Sequence, residues 1–173
     1  NDLDLFISNG KQGGENNFLY KNDGFGQFTA ITEGSIVHDG MPSDGATWAD
    51  FDNDGDIDCF VVNWFDKNNL FYKNEGVVAG ETQFSQVTTG NLVNDAGYSE
   101  TASWGDFDND GWLDLYVTNS EGSFKNFLYK NNTDGSFTKI TTGNAVNDAF
   151  ISRCANWTDL DMDGDLDLFV TNE

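Results

Sequence analysis

Three nine-residue segments of this chain concentrate oxygen donors at fixed spacing. The first runs Asp50-Phe-Asp52-Asn-Asp54-Gly55-Asp56-Ile-Asp58, with carboxylates at every odd position and a glycine at position 6. The second carries Asp106, Asp108, Asp110, Gly111 and Asp114, with Trp112 at position 7. The third carries Asp159, Asp161, Asp163, Gly164, Asp165 and Asp167. Of the 23 aspartates in the chain, 14 lie in these segments, a clustering that random surface acidity does not produce. Two carboxylates about 4 Å apart repel by roughly 4 kcal/mol at an effective dielectric near 20. No basic residue lies inside any segment to offset this, so a hard dication is expected among the oxygens. A site of about six to eight oxygens at about 2.3–2.6 Å suits Ca²⁺ better than the smaller, stricter Mg²⁺.

The carboxylates at positions 1, 3, 5 and 9 are the expected ligands, drawn together by a sharp turn at the glycine. Position 7 is expected to offer its backbone carbonyl, because Trp112 has no side-chain oxygen; the Asp56 and Asp165 side chains then stand beside the ion. An EF-hand is excluded. Its loop needs a bidentate Glu at position 12 and flanking helices, whereas position 12 here is Val61, Val117 and Val170.

The elements that position these loops repeat with them. Trp48, Trp104 and Trp157 each open the pattern W-x-D-[FL]-D-[NM]-D-G-x-[IL]-D, at spacings of 56 and 53 residues. The block Asn-[Phe/Leu]-[Leu/Phe]-Tyr-Lys-Asn recurs at 17–22, 69–74 and 126–131, followed by an apolar/Thr alternation at 28–32, 84–88 and 137–141. A turn then ends in Asp39, Asp95 or Asp148, nine residues before the next Trp. The segments at 3–8, 57–62, 113–118 and 166–171 are aromatic and β-branched, which predicts strands buried on both faces. Four short antiparallel strands per unit, each element four to six residues long, predict an all-β chain of β-propeller blades. The expected division is a partial blade 1–40, blades 41–96 and 97–149, and a partial blade 150–173. Asp4 matches Asp58, Asp114 and Asp167, as the last ligand of a loop whose other residues would lie upstream. The chain is therefore expected to be part of a larger ring completed by further blades of a parent chain. The alternative, two copies forming a six-bladed ring, is awkward because residues 2–9 duplicate 165–172.

The run D-F-D-N-D-G-D-I-D, followed by Cys59-Phe-Val-Val-Asn63 and preceded by Trp48, resembles the FG-GAP/VCBS-type repeats of calcium-binding propellers. Integrin α-subunit heads and many secreted bacterial proteins contain such repeats, and the resemblance covers essentially the whole chain. It implies a seven-bladed or similar ring with Ca²⁺ in the loop between the first two strands of several blades, about three sites here. The family's ligands carry over onto Asp50, Asp52, Asp54 and Asp58, then Asp106, Asp108, Asp110 and Asp114, then Asp159, Asp161, Asp163 and Asp167. The Phe-Gly and Gly-Ala-Pro signatures are absent, so the secreted bacterial forms are nearer than the integrins.

Thirty acidic residues against eight basic ones give a net charge of −22, which argues against nucleic acid and anionic membrane as partners. Apolar runs such as Cys59–Val62 are strand-sized, far short of the roughly 18 residues of a membrane span. The lack of an initiator Met or leader is read as a processed or partial chain. In an up-and-down blade the face opposite the acidic loops carries the segments that vary between units: 63–69, 119–126, 41–44, 97–100 and 150–153. Trp64, Phe65, Tyr98 and Arg153 are the candidates there for contact with a protein or glycan ligand, unless the aromatics merely cap blade interfaces. Trp48, Trp104 and Trp157 are expected in the core, Lys21, Lys73 and Lys130 on a solvent-facing strand side, and His38 in a turn. Cys59 is expected as a buried free thiol, unpaired with Cys154. No Ser/His, Cys/His or His₃ set is present. The expected function is a calcium-stabilised extracellular binding or adhesion module, secreted or at the cell surface. The alternatives are the propeller domain of a secreted polysaccharide-active enzyme, or a structural unit of a surface assembly.

Overall fold

Each repeat unit folds as an antiparallel meander in which each long strand pairs with the next long strand along the chain. The computed structural model describes residues 2–123 and 125–173; residue 124, in the variable segment 119–126, lies outside the described residues. The first sheet holds β1 (Leu5–Ile7), β2 (Phe18–Asn22) and β3 (Phe28–Ile31). The second contains β4 (Ser43–Ala49) and β5 (Asp58–Asn63); after the two-residue β6 (Lys67–Asn68) it continues with β7 (Leu70–Val78) and β8 (Glu81–Val87). The short β9 (Ala96–Gly97) pairs with β6 and so ties this unit to the next. The third sheet is β10 (Ser99–Gly105), β11 (Asp114–Asn119), β12 (Phe127–Asn131) and β13 (Phe137–Ile140), and the last is β14 (Ser152–Thr158) with β15 (Asp167–Asn172). The two complete sheets have the expected four strands. The first sheet supplies strands two to four of a unit and the last supplies strands one and two.

The core lies between sheets rather than within one. Strand side chains alternate between two faces, and in β5 and β11 both faces are covered, so all six residues of each are buried. Phe51, Phe60, Val62 and Phe71 of the second sheet's unit meet Leu115, Val117, Tyr129 and Phe137 of the next. Single helical turns between sheets insert Ile36 and Val37, Leu92 and Val93, and Val146 into these seams.

Three expectations are corrected. The tryptophans reach back onto the preceding sheet: Trp104 lies 6.4 Å from Phe60, Trp157 6.2 Å from Tyr116 and Trp48 5.7 Å from Phe6, measured between ring centroids. Trp104 and Trp157 are half-buried, and Trp48 remains 37% exposed, because the sheet behind it has no described counterpart of β4. The outer strands β1 and β15 are not buried on both faces; Leu5, Ile7 and Phe169 stay more than 40% exposed with only one face covered. The β7–β8 hairpin exceeds the expected length, continuing past a bulge between Asn74 and Val77 to a turn at Ala79 and Gly80. Cys59 and Cys154 are both free, the former buried, as expected. His38 lies in its turn with Nε2 2.8 Å from the Thr32 carbonyl.

Candidate metal centre

Each acidic loop connects the first strand of a sheet to the second and is wound around its own position-1 carboxylate. Asp50 accepts the backbone N–H of Asp54 at 3.1 Å and of Gly55 at 3.0 Å. Asp106 does the same for Asp110 and Gly111, at 3.0 and 2.9 Å, and Asp159 for Asp163 and Gly164, both at 3.1 Å. Closing so tight a turn requires left-handed backbone at position 6, where Gly55, Gly111 and Gly164 have φ of 94°, 88° and 97°. It also requires it at position 4, where Asn53, Asn109 and Met162 have φ of 57°, 57° and 63°. Asparagine adopts this region readily, whereas Met162 does so at a steric cost.

Position 9 begins the second strand and clamps the loop to the third. Asp58 accepts the N–H of Phe51 at 3.3 Å and of Asn74 at 2.8 Å; Asp114 accepts those of Phe107 at 3.2 Å and Asn131 at 2.8 Å. Asp167 keeps the first of these bonds, to Leu160 at 3.1 Å, and Asp4 keeps the second, to Asn22 at 2.8 Å. Asp4 thus occupies the slot its alignment with Asp58 implies. Asp58 and Asp114 are almost wholly buried, and burial pushes each carboxyl up to about 6.

The carboxylates that converge are those at positions 1, 3 and 9. In Asp50, Asp52 and Asp58, in Asp106, Asp108 and Asp114, and in Asp159, Asp161 and Asp167, one oxygen from each residue lies within 4.8 Å of the other two. Oδ1 of Asp52 is buried with no hydrogen-bond partner among the described residues. A buried carboxylate oxygen left unpaired is costly, and one that belongs to a residue converging with two further carboxylates fits a cation. The donors are all hard oxygens, as Ca²⁺ prefers.

The position-5 carboxylates, and the Asp56 and Asp165 side chains at position 7, are not in the converging set. Asp54, Asp110 and Asp163 each use one oxygen to accept the N–H of position 7, from Asp56, Trp112 and Asp165, at 2.9, 3.0 and 3.0 Å. The other oxygen of Asp54 lies 3.2 Å from Lys73 Nζ, and that of Asp110 3.1 Å from Lys130 Nζ. The same lysines pair with Asp52 and Asp108. Lys73 and Lys130 therefore do not simply face solvent, and the first two loops do not lack a basic neighbour. The third strand runs alongside the loop, so a lysine about 20 residues downstream arrives at the carboxylates. Lys21 instead pairs with Glu81 at 3.8 Å. The Asp165 side chain accepts from Asn109 Nδ2 at 2.7 Å rather than standing idle beside an ion.

The family relation follows the same loops. The FG-GAP-like repeat model matches residues 1–61, 50–117 and 106–170, successive matches overlapping across an acidic loop. The chain belongs to the FG-GAP-like repeat family. It is 28% identical over 163 residues to cartilage acidic protein 1 of Xenopus tropicalis, a match covering 90% of this chain and 25% of that protein. The FG-GAP-like chain thus spans about a quarter of that relative's length.

At the opposite ends of the strands the four candidate contact residues draw together. The Trp64 ring meets Phe65 and Tyr98 edge-on at 5.1 and 5.5 Å, and its Nε1 donates to Glu100 at 3.0 Å. Arg153 donates to the same Glu100 oxygen at 2.7 Å and pairs with Glu173. A cleft of about 310 Å³ lies beside them, lined by Trp64, Ser120, Glu121, Gly122, Ile151 and Arg153. Beneath this face runs a relay absent from the sequence expectations. Asn69 accepts the Asn63 N–H at 2.8 Å and donates to Ser99 at 3.2 Å, and Ser99 donates to Asn119 at 3.1 Å. Asn126, Ser152 and Asn172 repeat it at 2.9 and 2.8 Å, and Asn17 donates to Ser43 at 2.9 Å. The available signal was a serine five residues before each repeat tryptophan.

Proposed function

We propose that this FG-GAP-like chain is a calcium-stabilised, extracellular β-propeller segment that works as a binding or adhesion module and carries out no chemistry itself. One observation carries the reading: three loops present the same converged carboxylate triad, each wound on the same pair of position-1 backbone clamps, and one triad residue has a buried oxygen without a partner among the described residues. Calcium, when bound, supplies the positive charge that lets these carboxylates share a small volume. The chain's own residues do the rest. Positions 1 and 9 hold the loop shape through backbone N–H groups, and position 9 ties the first hairpin to the third strand. Binding energy becomes folding energy, since the unfolded chain has no such arrangement.

Partner recognition is assigned to the opposite face, to a protein or glycan ligand meeting Trp64, Phe65, Tyr98 and Arg153. Further blades, from a parent chain or another copy, would cover the outer sheets. A thermal melt tests the metal: the midpoint should fall markedly in EGTA and recover with Ca²⁺ but poorly with Mg²⁺. A folded, metal-depleted sample whose melt ignores EGTA would remove the calcium reading. Glycan arrays and pull-downs with Trp64→Ala and Arg153→Ala test the face, and unchanged capture of every ligand found would dismiss it.

A further inference from the structure

We propose that Lys73 and Lys130 are tethered counter-cations that occupy the position-5 aspartate of the first two acidic loops and must be displaced before calcium can recruit it. This rests on the calcium reading above. Lys73 leaves β7 beside the first loop and pairs with Asp52 and Asp54; Lys130 leaves β12 and pairs with Asp108 and Asp110. In both loops the position-5 carboxylate is fully engaged, one oxygen on the N–H of position 7 and the other on the lysine. In both loops it also lies outside the converging triad, as Asp163 does in the third loop, where no lysine contacts the acidic cluster among the described residues. The lysine ammonium is the one positive charge in contact with either cluster among the described residues.

Two effects of opposite sign follow from that placement. By gripping one oxygen of Asp52, Lys73 leaves the other free, which orients a ligand and favours the ion. Against this stands charge. A unit charge about 6 Å from a dication, even at the dielectric of water, opposes its binding roughly tenfold. Part-exposed ion pairs of this kind are individually weak, so fixing the Asp52 rotamer is worth less than relieving the repulsion. Displacement therefore dominates. In the metal-free chain the same lysines offset carboxylate repulsion, so the loops keep their shape until the ion arrives.

Lys73→Met and Lys130→Met keep the apolar stem and remove the charge. Calorimetric calcium titration should show binding at the altered loop tightened about tenfold, while the EGTA melting midpoint falls. Lys11→Met, in the β1–β2 loop where Lys11 pairs only with Glu15, should leave both readouts near wild type. A tightening no greater than that of Lys11→Met, or weaker binding, would overturn the proposal while leaving the calcium reading intact. Wild-type protein that binds no calcium would overturn both. Unsubstituted protein gives a second measurement, independent of how the variants fold. Acylation by an amine-reactive reagent, read by mass spectrometry, should rise at Lys73 and Lys130 on adding calcium and stay constant at Lys11. Unchanged labelling of the two lysines would also overturn it.

Discussion

A single carboxylate such as Asp58 shows how burial and charge divide the work in the loop. It is 1% exposed, accepts two backbone N–H groups, and is nevertheless pushed up to about 6, because desolvation outweighs the hydrogen bonds. Asp114 repeats the arrangement and the value. A proton and a dication compete for the same oxygens, so calcium affinity should be full above about pH 6 and lost as pH falls through it. In the metal-free chain the sign reverses. A folded-state value above the ordinary carboxylate value means that the folded state holds extra protons between about pH 4 and about pH 6. These two groups thus favour folding at the acid end of that window and cease to as pH rises. The gain in melting temperature on adding calcium should accordingly be larger at pH 7 than at pH 5, and an equal gain at both would contradict the assignment. Asp52→Asn keeps the shape of the position-3 side chain while removing its charge. The stoichiometry of tight calcium sites should fall by one, with the other two loops still binding.

At the scale of the element, the loops and strands are joined by polar side chains that cross from one unit to the next. Asn53 Nδ2 donates to the Gly111 carbonyl at 3.3 Å, and Asn109 Nδ2 to the Gly164 carbonyl at 3.4 Å and to Asp165. Each position-4 asparagine thereby ties its acidic loop to the following one. Asn109→Ala should weaken calcium binding at the third loop as well as the second, whereas two independent sites would show the loss in the second alone. At the other end of the strands, Ser99→Ala would take the serine hydroxyl from Asn69 Nδ2 and Asn119 Oδ1, at a cost of about 1–3 kcal/mol. Equilibrium unfolding should register it, and a shift within error would mean the relay is idle. These connections also explain what was legible beforehand. The acidic loops and the strand order announce themselves because their residues are contiguous and recur: Asp50 to Asp58 form one run, and Trp48 marks the strand before it. Lys73 and Ser99 recur from unit to unit as well, but they are not contiguous with what they bind. Their partners lie 21 and 30 residues away and meet only when strands or sheets are laid side by side. Trp48 departs from the expected core position for a related reason, since its burial depends on the preceding sheet rather than on its own strand.

For the whole molecule, the decisive quantity is how many faces of each sheet are covered. Three dications would take the formal charge from −22 to −16, so the chain stays strongly self-repelling and depends on the apolar seams between sheets. The seam of Phe51, Phe60, Phe71, Leu115, Val117, Tyr129 and Phe137 is closed on both sides. At the ends of the array, Leu5, Ile7, Phe18 and Phe28 on one side and Leu160 and Phe169 on the other stay more than 40% exposed. Local opening requires surrendering buried contacts, so protection should follow coverage. Native-state hydrogen exchange of this 173-residue chain should find the amides of β5 and β11 exchanging only through global unfolding. Those of β1 and β15 should exchange through smaller openings, with a weaker dependence on denaturant. Calcium should slow exchange most in the strands that begin at position 9, because Asp58 and Asp114 tie the ion's loop to the third strand through Asn74 and Asn131. Even protection across all four strands would mean that the sheets open together, and that the seams rather than the loops set the stability of every unit.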